Sequence, residues 1–541
     1  MSQAEEGNGR STPKPETLRQ LEPVHQVCRY LLEMFSVPLL RSHATVALVD
    51  RDRFQLYHAN HSVVLVSSAI NFSGGDVDGL EMFIATIIAF RRLSPEQNGI
   101  VGSIFDENIG LVRNPNIASD DKVVQKGNKL VFTGDKPCED FEVEVGEIIS
   151  RDPAAVGRST AVVDATSDKW PETELVVKAS WPGSDRVSET TFLKKACEEA
   201  GKTEGGWATN HLPRLLHARD VDFDPNSTLG RVTGLFRDAQ FVDERFEYER
   251  RTLRVIIQER LHSLKSLTNV KDIGQVFLDI ACSMRVPFSP RLPYAHSGPV
   301  HRWLLDQPGI LHRDLSFKNI MCRIIKKLGA KDEVYGVLTD YDLSSWAASL
   351  KNDYTKTSQQ RTGTPPYMAH ELLRGASDIH LYRHDVESLF YIMLLTCARH
   401  QFDLRKEARW PVVMREGKLP YEDWFNEPNY AKLGKVKASF FSHWEAIELS
   451  PAFEDFRGWL EDLRLSFTGG FQRKLTNLVE QKQQSEWRKK RGVGSAGQAK
   501  PTSVPFDDET LGGYVDYSAV VEPTRYLGGD LNGLVIRYAV T

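Results

Sequence analysis

A carboxylate and a carboxamide lie five positions apart in the stretch Ile310-Leu311-His312-Arg313-Asp314-Leu315-Ser316-Phe317-Lys318-Asn319-Ile320-Met321. Those two groups suit phosphoryl transfer: Asp314 to accept the proton of an attacking hydroxyl, Asn319 to hold a magnesium ion that bridges phosphates. Arg313 beside them is a fixed cation able to meet a phosphate. The apolar flanks, Ile310-Leu311 and Ile320-Met321, anchor the loop in a core on both sides. A second acidic stretch, Thr339-Asp340-Tyr341-Asp342-Leu343, ends an apolar run and offers Asp340 as an oxygen ligand for a hard cation. A lone His-Arg-Asp is more often a plain surface turn. The register of Asn319 and the order of the pieces favour chemistry.

The elements that must position these groups can be read around them. Residues 320–325 and 334–338 read as two strands joined by a turn with Lys326, Lys327 and Gly329, and 301–307 as a short helix leading into the loop. Upstream, 175–181 is a β-rich run with one lysine, Lys178, and Ser188-Glu189 opens a helix to about Ala200. Residues 254–261 read as a buried strand with a polar exit, and 141–149 as a strand that turns through 155–163 at Gly157. Residues 270–284 read as a helix, followed by Pro287, Pro290 and Pro293. Near the N-terminus, a helix at 24–35, strands at 45–49, 54–58 and 62–66 and a helix at 80–90 make a small α+β module. Downstream, 384–395 is an almost wholly apolar helix, and Phe456, Trp459, Leu460 and Leu463 share one face of another that opens at Ser450-Pro451.

Composition bounds the rest. At 541 residues the chain is too long for one core, and a net charge of −5 gives no sign of nucleic acid as a bulk partner. Six cysteines without a C-x-x-C pair argue against a disulfide framework or a zinc site and suit a reducing, intracellular compartment, cytoplasmic or nuclear. No apolar run of membrane-spanning length occurs, so no membrane partner is expected. The polar first fifteen residues lack a secretory core. Residues 481–505 read as a flexible linker; Arg488-Lys489-Lys490-Arg491 inside it is either an import or acidic-partner patch or a solvated cluster.

His312-Arg313-Asp314-Leu315 with Asn319 matches H-R-D-L-x-x-x-N, the catalytic-loop pattern of protein kinases. In order along the chain, Lys178, Glu189, Asp314, Asn319, Asp340, Glu371 and Asp385 resemble that superfamily. Val177-Lys178-Ala179-Ser180-Trp181, Asp340-Tyr341-Asp342-Leu343, Arg361-Thr362-Gly363-Thr364 and the N-terminal module resemble, more closely, the fungal-type protein kinases. The likeness runs over roughly residues 25–470. It implies an α+β, bilobal kinase-like fold, with a β-rich N-lobe, a helical C-lobe and an N-terminal extension. The boundaries expected are a disordered tail at 1–20, the extension at 21–140, the N-lobe at 141–266, the C-lobe at 267–480 and a linker and tail at 481–541.

The resemblance also implies ATP and magnesium, a protein substrate, and roles for single residues. Lys178 would contact the α- and β-phosphates and pair with Glu189. Gly157 would offer its amide to phosphate, although a plain hairpin fits that turn equally. Gln258, Glu259 and Leu261 would frame an adenine ring, with a simple core strand as the alternative. Asn319 and Asp340 would be the metal ligands. Asp385 would hold the catalytic-loop backbone, and Glu371 would enter a buried ion pair. Arg313 would meet a phosphate placed on Tyr354, Thr355, Thr357 or Ser358. Ser316 stands where serine/threonine kinases carry lysine, and Lys318 resembles the arginine of tyrosine kinases, while Gly363-Thr364 leans to the serine/threonine type, which is the reading taken. A pseudokinase binding module and, further off, a small-molecule kinase are the alternatives.

Overall fold

The computed structural model describes residues 23–36, 41–73, 76–94, 97–100, 109–112, 126–134, 139–221, 223, 226–237, 248–283, 303–352, 363–377, 379–402, 412–443, 446–490 and 506–535. The chain divides into two compact units, 1–186 with 215–260, and 187–214 with 261–541. The segment 187–214, expected in the N-lobe, belongs to the second unit.

In the first unit, α1 (Pro23–Ser36) lies on a small antiparallel sheet made of β1 (His43–Asp50), β2 (Arg53–Asn60), β3 (Val64–Val66) and β4 (Ile70–Asn71). Val27, Leu31 and Phe35 recur every four residues, so they form one stripe, which buries against Ala44, Tyr57 and Ala59. Helix α2 (Val77–Arg92) follows, N-capped by Asp76, whose carboxylate accepts the Gly79 amide. The main sheet has seven antiparallel strands in the order β10-β11-β9-β8-β7-β6-β5. These are β5 (Ile109–Val112), β6 (Lys129–Phe132), β7 (Phe141–Asp152), β8 (Thr160–Thr166), β9 (Leu175–Ser180), β10 (Leu215–Val221) and β11 (Leu253–Glu259). Strands β5, β6 and β10 and helix α4 (Thr228–Arg237) had no counterpart in the sequence reading. In β9, Leu175, Val177 and Ala179 join the apolar core, while Val176, Lys178 and Ser180 point to the other face; all six are buried.

In the second unit, α3 (Glu189–Gly201) is capped by Ser188, whose Oγ accepts the Thr190 amide. Strands β12 (His262–Ser263), β14 (Ile320–Ile325) and β15 (Glu333–Leu338) form one sheet, and β13 (Ile310–Leu311) pairs with β16 (Ser345–Trp346). The helices are α5 (Val270–Ser283), α6 (Trp303–Asp306), α7 (Ala347–Asn352), α8 (His370–Arg374), α9 (Tyr382–Arg399), α10 (Asp423–Asn426), α11 (Tyr430–Ser442), α12 (Arg457–Lys490) and α13 (Tyr517–Val521). All eighteen residues of α9 are buried, which makes it the axis of the core. Phe277, Trp303, Phe456, Trp459, Leu460 and Leu463 belong to that core with it.

The expectation of a flexible linker and C-terminal tail at 481–541 meets ordered structure in two places. Helix α12 runs on to Lys490. Beyond the undescribed 491–505, Leu511, Val515, Val520, Val521 and Leu531 are buried in the same core as α9. Trp459 Nε1 donates to the Val520 carbonyl at 2.8 Å, and Arg383 Nε to the Asp508 carbonyl at 2.7 Å. Among the described residues no helix is long and apolar enough to cross a membrane.

Candidate active site

The loop carrying Asp314 hangs from one buried carboxylate. Asp385, in the first turn of α9, accepts the backbone amide of His312 at 3.2 Å and that of Arg313 at 3.2 and 3.4 Å. His380 Nε2 lies 2.7 Å from the same group. Burial alone would raise the Asp385 pKa, but His380 and the backbone amides hold it below its ordinary value, so it stays an anion. Arg313 has φ 69°, a left-handed conformation that costs a non-glycine residue about 1 kcal/mol or more. The two bonds to Asp385 offset that cost. Expectation and geometry agree on what Asp385 does.

His312 locks the loop to the acidic segment. Its Nε2 is 2.9 Å from the Thr339 carbonyl, which can only accept, and its Nδ1 takes the Asp314 amide at 3.4 Å. The ring is therefore the neutral tautomer with the proton on Nε2. Burial lowers its pKa and keeps it so. Asn319 Nδ2 donates to the Asp314 carbonyl at 2.7 Å. The Asn319 carbonyl takes the Thr339 amide at 2.9 Å and its hydroxyl at 3.1 Å, extending the β14–β15 register in which Ile320 faces Leu338. Asn319 and Asp340 thereby come to the same end of one hairpin.

Asp340 has φ 64°, and Tyr341 behind it is fully buried, its ring edge-on to His312 at 5.0 Å. Burial raises the Tyr341 phenol, so the ring is an apolar plug carrying a neutral hydroxyl. Glu189, first residue of α3, accepts the Tyr341 amide at 3.1 Å. One carboxylate oxygen from each of Glu189, Asp340 and Asp342 lies within 4.8 Å of the other two. Close carboxylates repel, and a hard divalent cation with oxygen ligands relieves that repulsion. The donor set of Asp340 and its two acidic neighbours therefore fits a hard divalent cation such as magnesium.

Beyond Asp314, the chain 363–371 is held on three sides. Thr364 Oγ1 donates to Asp314 Oδ1 at 3.4 Å. Lys437, in α11, is fully buried and donates to the carbonyls of Pro365, Pro366 and Met368 at 3.1, 2.7 and 2.8 Å. Its Nζ also lies 4.2 Å from the centre of the Tyr391 ring. Glu371 meets Arg383 at 2.5 Å and Lys474 at 3.0 Å, which gives the expected ion pair its partners. Burial opposes its charge, but His384, Arg383 and Lys474 hold the Glu371 carboxyl far below the usual range. His370, where a proline stands in most kinases, gives both its amide and Nδ1 to Glu387, at 2.8 and 2.9 Å. Ser316 is buried while Lys318 is exposed, so Lys318 is the cation this loop presents to solvent. Arg313 Nη1 lies 2.5 Å from Ser345 Oγ. The expected phosphate acceptors Tyr354, Thr355, Thr357 and Ser358 lie outside the described residues.

The first unit holds the remaining expected residues except Leu261. Lys178 sits mid-strand between Val162 of β8 and Ile256 of β11, its register partners. Gln258 pairs with Val176 on one side and Leu215 on the other; the β10 ladder ends there, and the β9 ladder continues to Glu259↔Leu175. The Arg260 amide is bonded to the Glu174 carbonyl at 2.8 Å, and its guanidinium meets Asp164 at 2.6 Å. Leu261 begins the second segment of the second unit and is buried.

Gly157 departs from expectation. Its amide donates to the His61 carbonyl at 2.9 Å, so it is committed within the fold and is not available to phosphate. Its φ of 135° and the close approach of Ala154 still demand glycine. His61 itself is stacked on Trp181 with ring centres 4.4 Å apart, and the Trp181 amide donates to the Arg158 carbonyl at 2.6 Å. Sequence reasoning also missed His380, Arg383, Lys437 and His61. Each is a histidine or cation that reads as solvated until its distant partner is known.

A protein-family model described as fungal protein kinase matches residues 10–263 and 299–397. No curated protein matches the chain. The match takes in both the strand of Lys178 and the loop of Asp314, and by it the chain belongs to the fungal protein kinase family.

Proposed function

We propose that this protein is an active kinase of bilobal layout that moves the γ-phosphoryl group of ATP to a serine or threonine hydroxyl of a protein. The observation that carries the reading is the setting of Asp314. Its loop is hung from Asp385, its carbonyl is held by Asn319, and its carboxylate is reached by the Thr364 hydroxyl. A hydroxyl already donating to Asp314 marks where a substrate hydroxyl would present its proton. Asp314 takes that proton as the oxygen attacks phosphorus. Asn319 and Asp340 would hold magnesium, whose charge offsets that of the phosphates. Lys178 serves the α- and β-phosphates. Gln258, Glu259 and Leu261 frame the adenine, and Lys318 faces the transferred group. Arg313 answers a phosphate on Tyr354, Thr355, Thr357 or Ser358.

One observation favours a second reading. The Gly157 amide, the donor expected to meet phosphate, is committed to the His61 carbonyl, which suits a binding module without transfer. Labelled γ-phosphate transfer to a generic protein substrate, run beside ATP binding, separates the two. Transfer above an Asp314→Asn control supports the kinase; tight magnesium-ATP binding with transfer no greater than that control supports the binding module.

A further inference from the structure

Helix α2 carries its apolar residues on the wrong side for a monomer. One face is seated on the hairpin sheet. A Cβ at Gly79 would come 1.7 Å from the Asn71 carbonyl oxygen, so only glycine allows that approach. Phe83 stacks on Phe72 with ring centres 4.2 Å apart and leans on Phe54 at 5.3 Å. The opposite face is equally apolar and open: Val77 is 64% exposed, Leu80 43%, Ile84 47%, Ile87 45% and Ile88 45%. Val77, Leu80, Ile84 and Ile87 fall at i, i+3, i+7 and i+10, the spacing of a coiled-coil seam. Isolated exposed apolar residues need no explanation, but a continuous stripe of this kind marks an interaction surface.

The charges at the two ends select the partner. Asp78 and Glu81 lie at the N-terminal end of α2, and Arg91 and Arg92 close its last turn. We infer that α2 pairs antiparallel with α2 of a second copy of this chain. In that arrangement the acidic end of each helix meets the basic end of the other, Ile84 lies near the two-fold axis, and the helix dipoles oppose. A parallel pair would set like charges together at both ends. The inference rests on the first unit alone and does not depend on catalysis.

The test is sedimentation velocity of the full chain over a concentration series, with melting curves as a check on folding. The wild type should show a concentration-dependent dimer that weakens with salt. Ile84→Glu, at an exposed position, should melt as the wild type does and sediment as a monomer. Asp78→Lys/Glu81→Lys gives a helix basic at both ends, and Arg91→Glu/Arg92→Glu one acidic at both. Each alone should self-associate roughly tenfold or more weakly than wild type, because like charges then face each other. An equimolar mixture of the two should recover the dimer. A wild type monomeric throughout would overturn the inference, as would a dimer indifferent to Ile84→Glu. So would equal self-association of wild type and both charge variants. Wild-type monomer that floats with anionic vesicles would assign the stripe to a membrane surface instead.

Discussion

Asp314 and Asp340 are both acidic, but their surroundings differ. Asp314 is reached by a hydroxyl and sits on a loop fixed by three backbone bonds from below. Asp340 is twisted into a left-handed conformation beside two further carboxylates. Asp314→Asn should lower transfer by roughly 10²–10⁴-fold, the usual worth of a general base, and leave nucleotide affinity nearly intact. Asp340→Asn should instead remove the gain in ATP affinity that magnesium brings, because a hard cation prefers an anionic oxygen. ATP titrations with and without magnesium read this directly, and an unchanged magnesium effect would make Asp340 structural. At this scale the sequence was most legible where chemistry and spacing coincide. Asp385 could be assigned to the loop backbone only because the helix it opens resembles the central helix of protein kinases. Arg383 could not be named as the partner of Glu371, because nothing local separates it from a solvated arginine.

Among the elements, α11 shows how a long-range contact escapes sequence reading. A lysine on an amphipathic helix is usually solvated, yet Lys437 is wholly buried, and its three bonds fix the chain from Pro365 to Met368 just past Thr364. Burial lowers its pKa well below the ordinary value. Lys437→Met should leave three carbonyls without their donor and destabilise the fold by about 2–4 kcal/mol. Transfer should fall further than stability does, since the Thr364 hydroxyl loses its support. Activity measured well below the melting transition checks this, and unchanged turnover there would confine Lys437 to folding. The turn at Gly157 behaves in the same way. Its single glycine was visible, but the His61 carbonyl that takes its amide lies almost a hundred positions earlier. His61→Ala removes the ring stacked on Trp181 and should cost roughly 2–4 kcal/mol through the cavity left. KM for ATP should stay unchanged, because the Gly157 amide is already committed to the His61 carbonyl, and a raised KM would show that the turn meets nucleotide after all.

Across the whole molecule, buried neutral histidines set the response to acid. Burial holds His61 at about 3 and His384 and His400 at about 4, against about 6.5 in an unfolded chain. Between pH 6.5 and 4 the unfolded chain therefore binds more protons, and unfolding becomes easier as pH falls. Each such histidine should remove about 1.4 kcal/mol per pH unit over that window, full stability being present above it. Denaturant midpoints between pH 7 and 4.5, on the wild type and on a His400→Phe variant, test the sign; a midpoint flat in pH would refute it. Strands whose apolar run matched or nearly matched their length, such as β14 and β15, were legible, whereas the short β5 and β6 were not. The segment 506–535 read as tail because its anchors, Leu511 to Leu531, show no helical or strand period and bury against elements far away in the chain. The central claim remains that the Asp314 loop transfers phosphate. Its most direct measurement is γ-phosphate transfer by the purified full chain with magnesium and ATP, beside Asp314→Asn under the same conditions. The expected result is steady transfer by the wild type and background transfer by a variant that still binds ATP. Equal transfer by both, or none by a wild type that binds ATP, would contradict it.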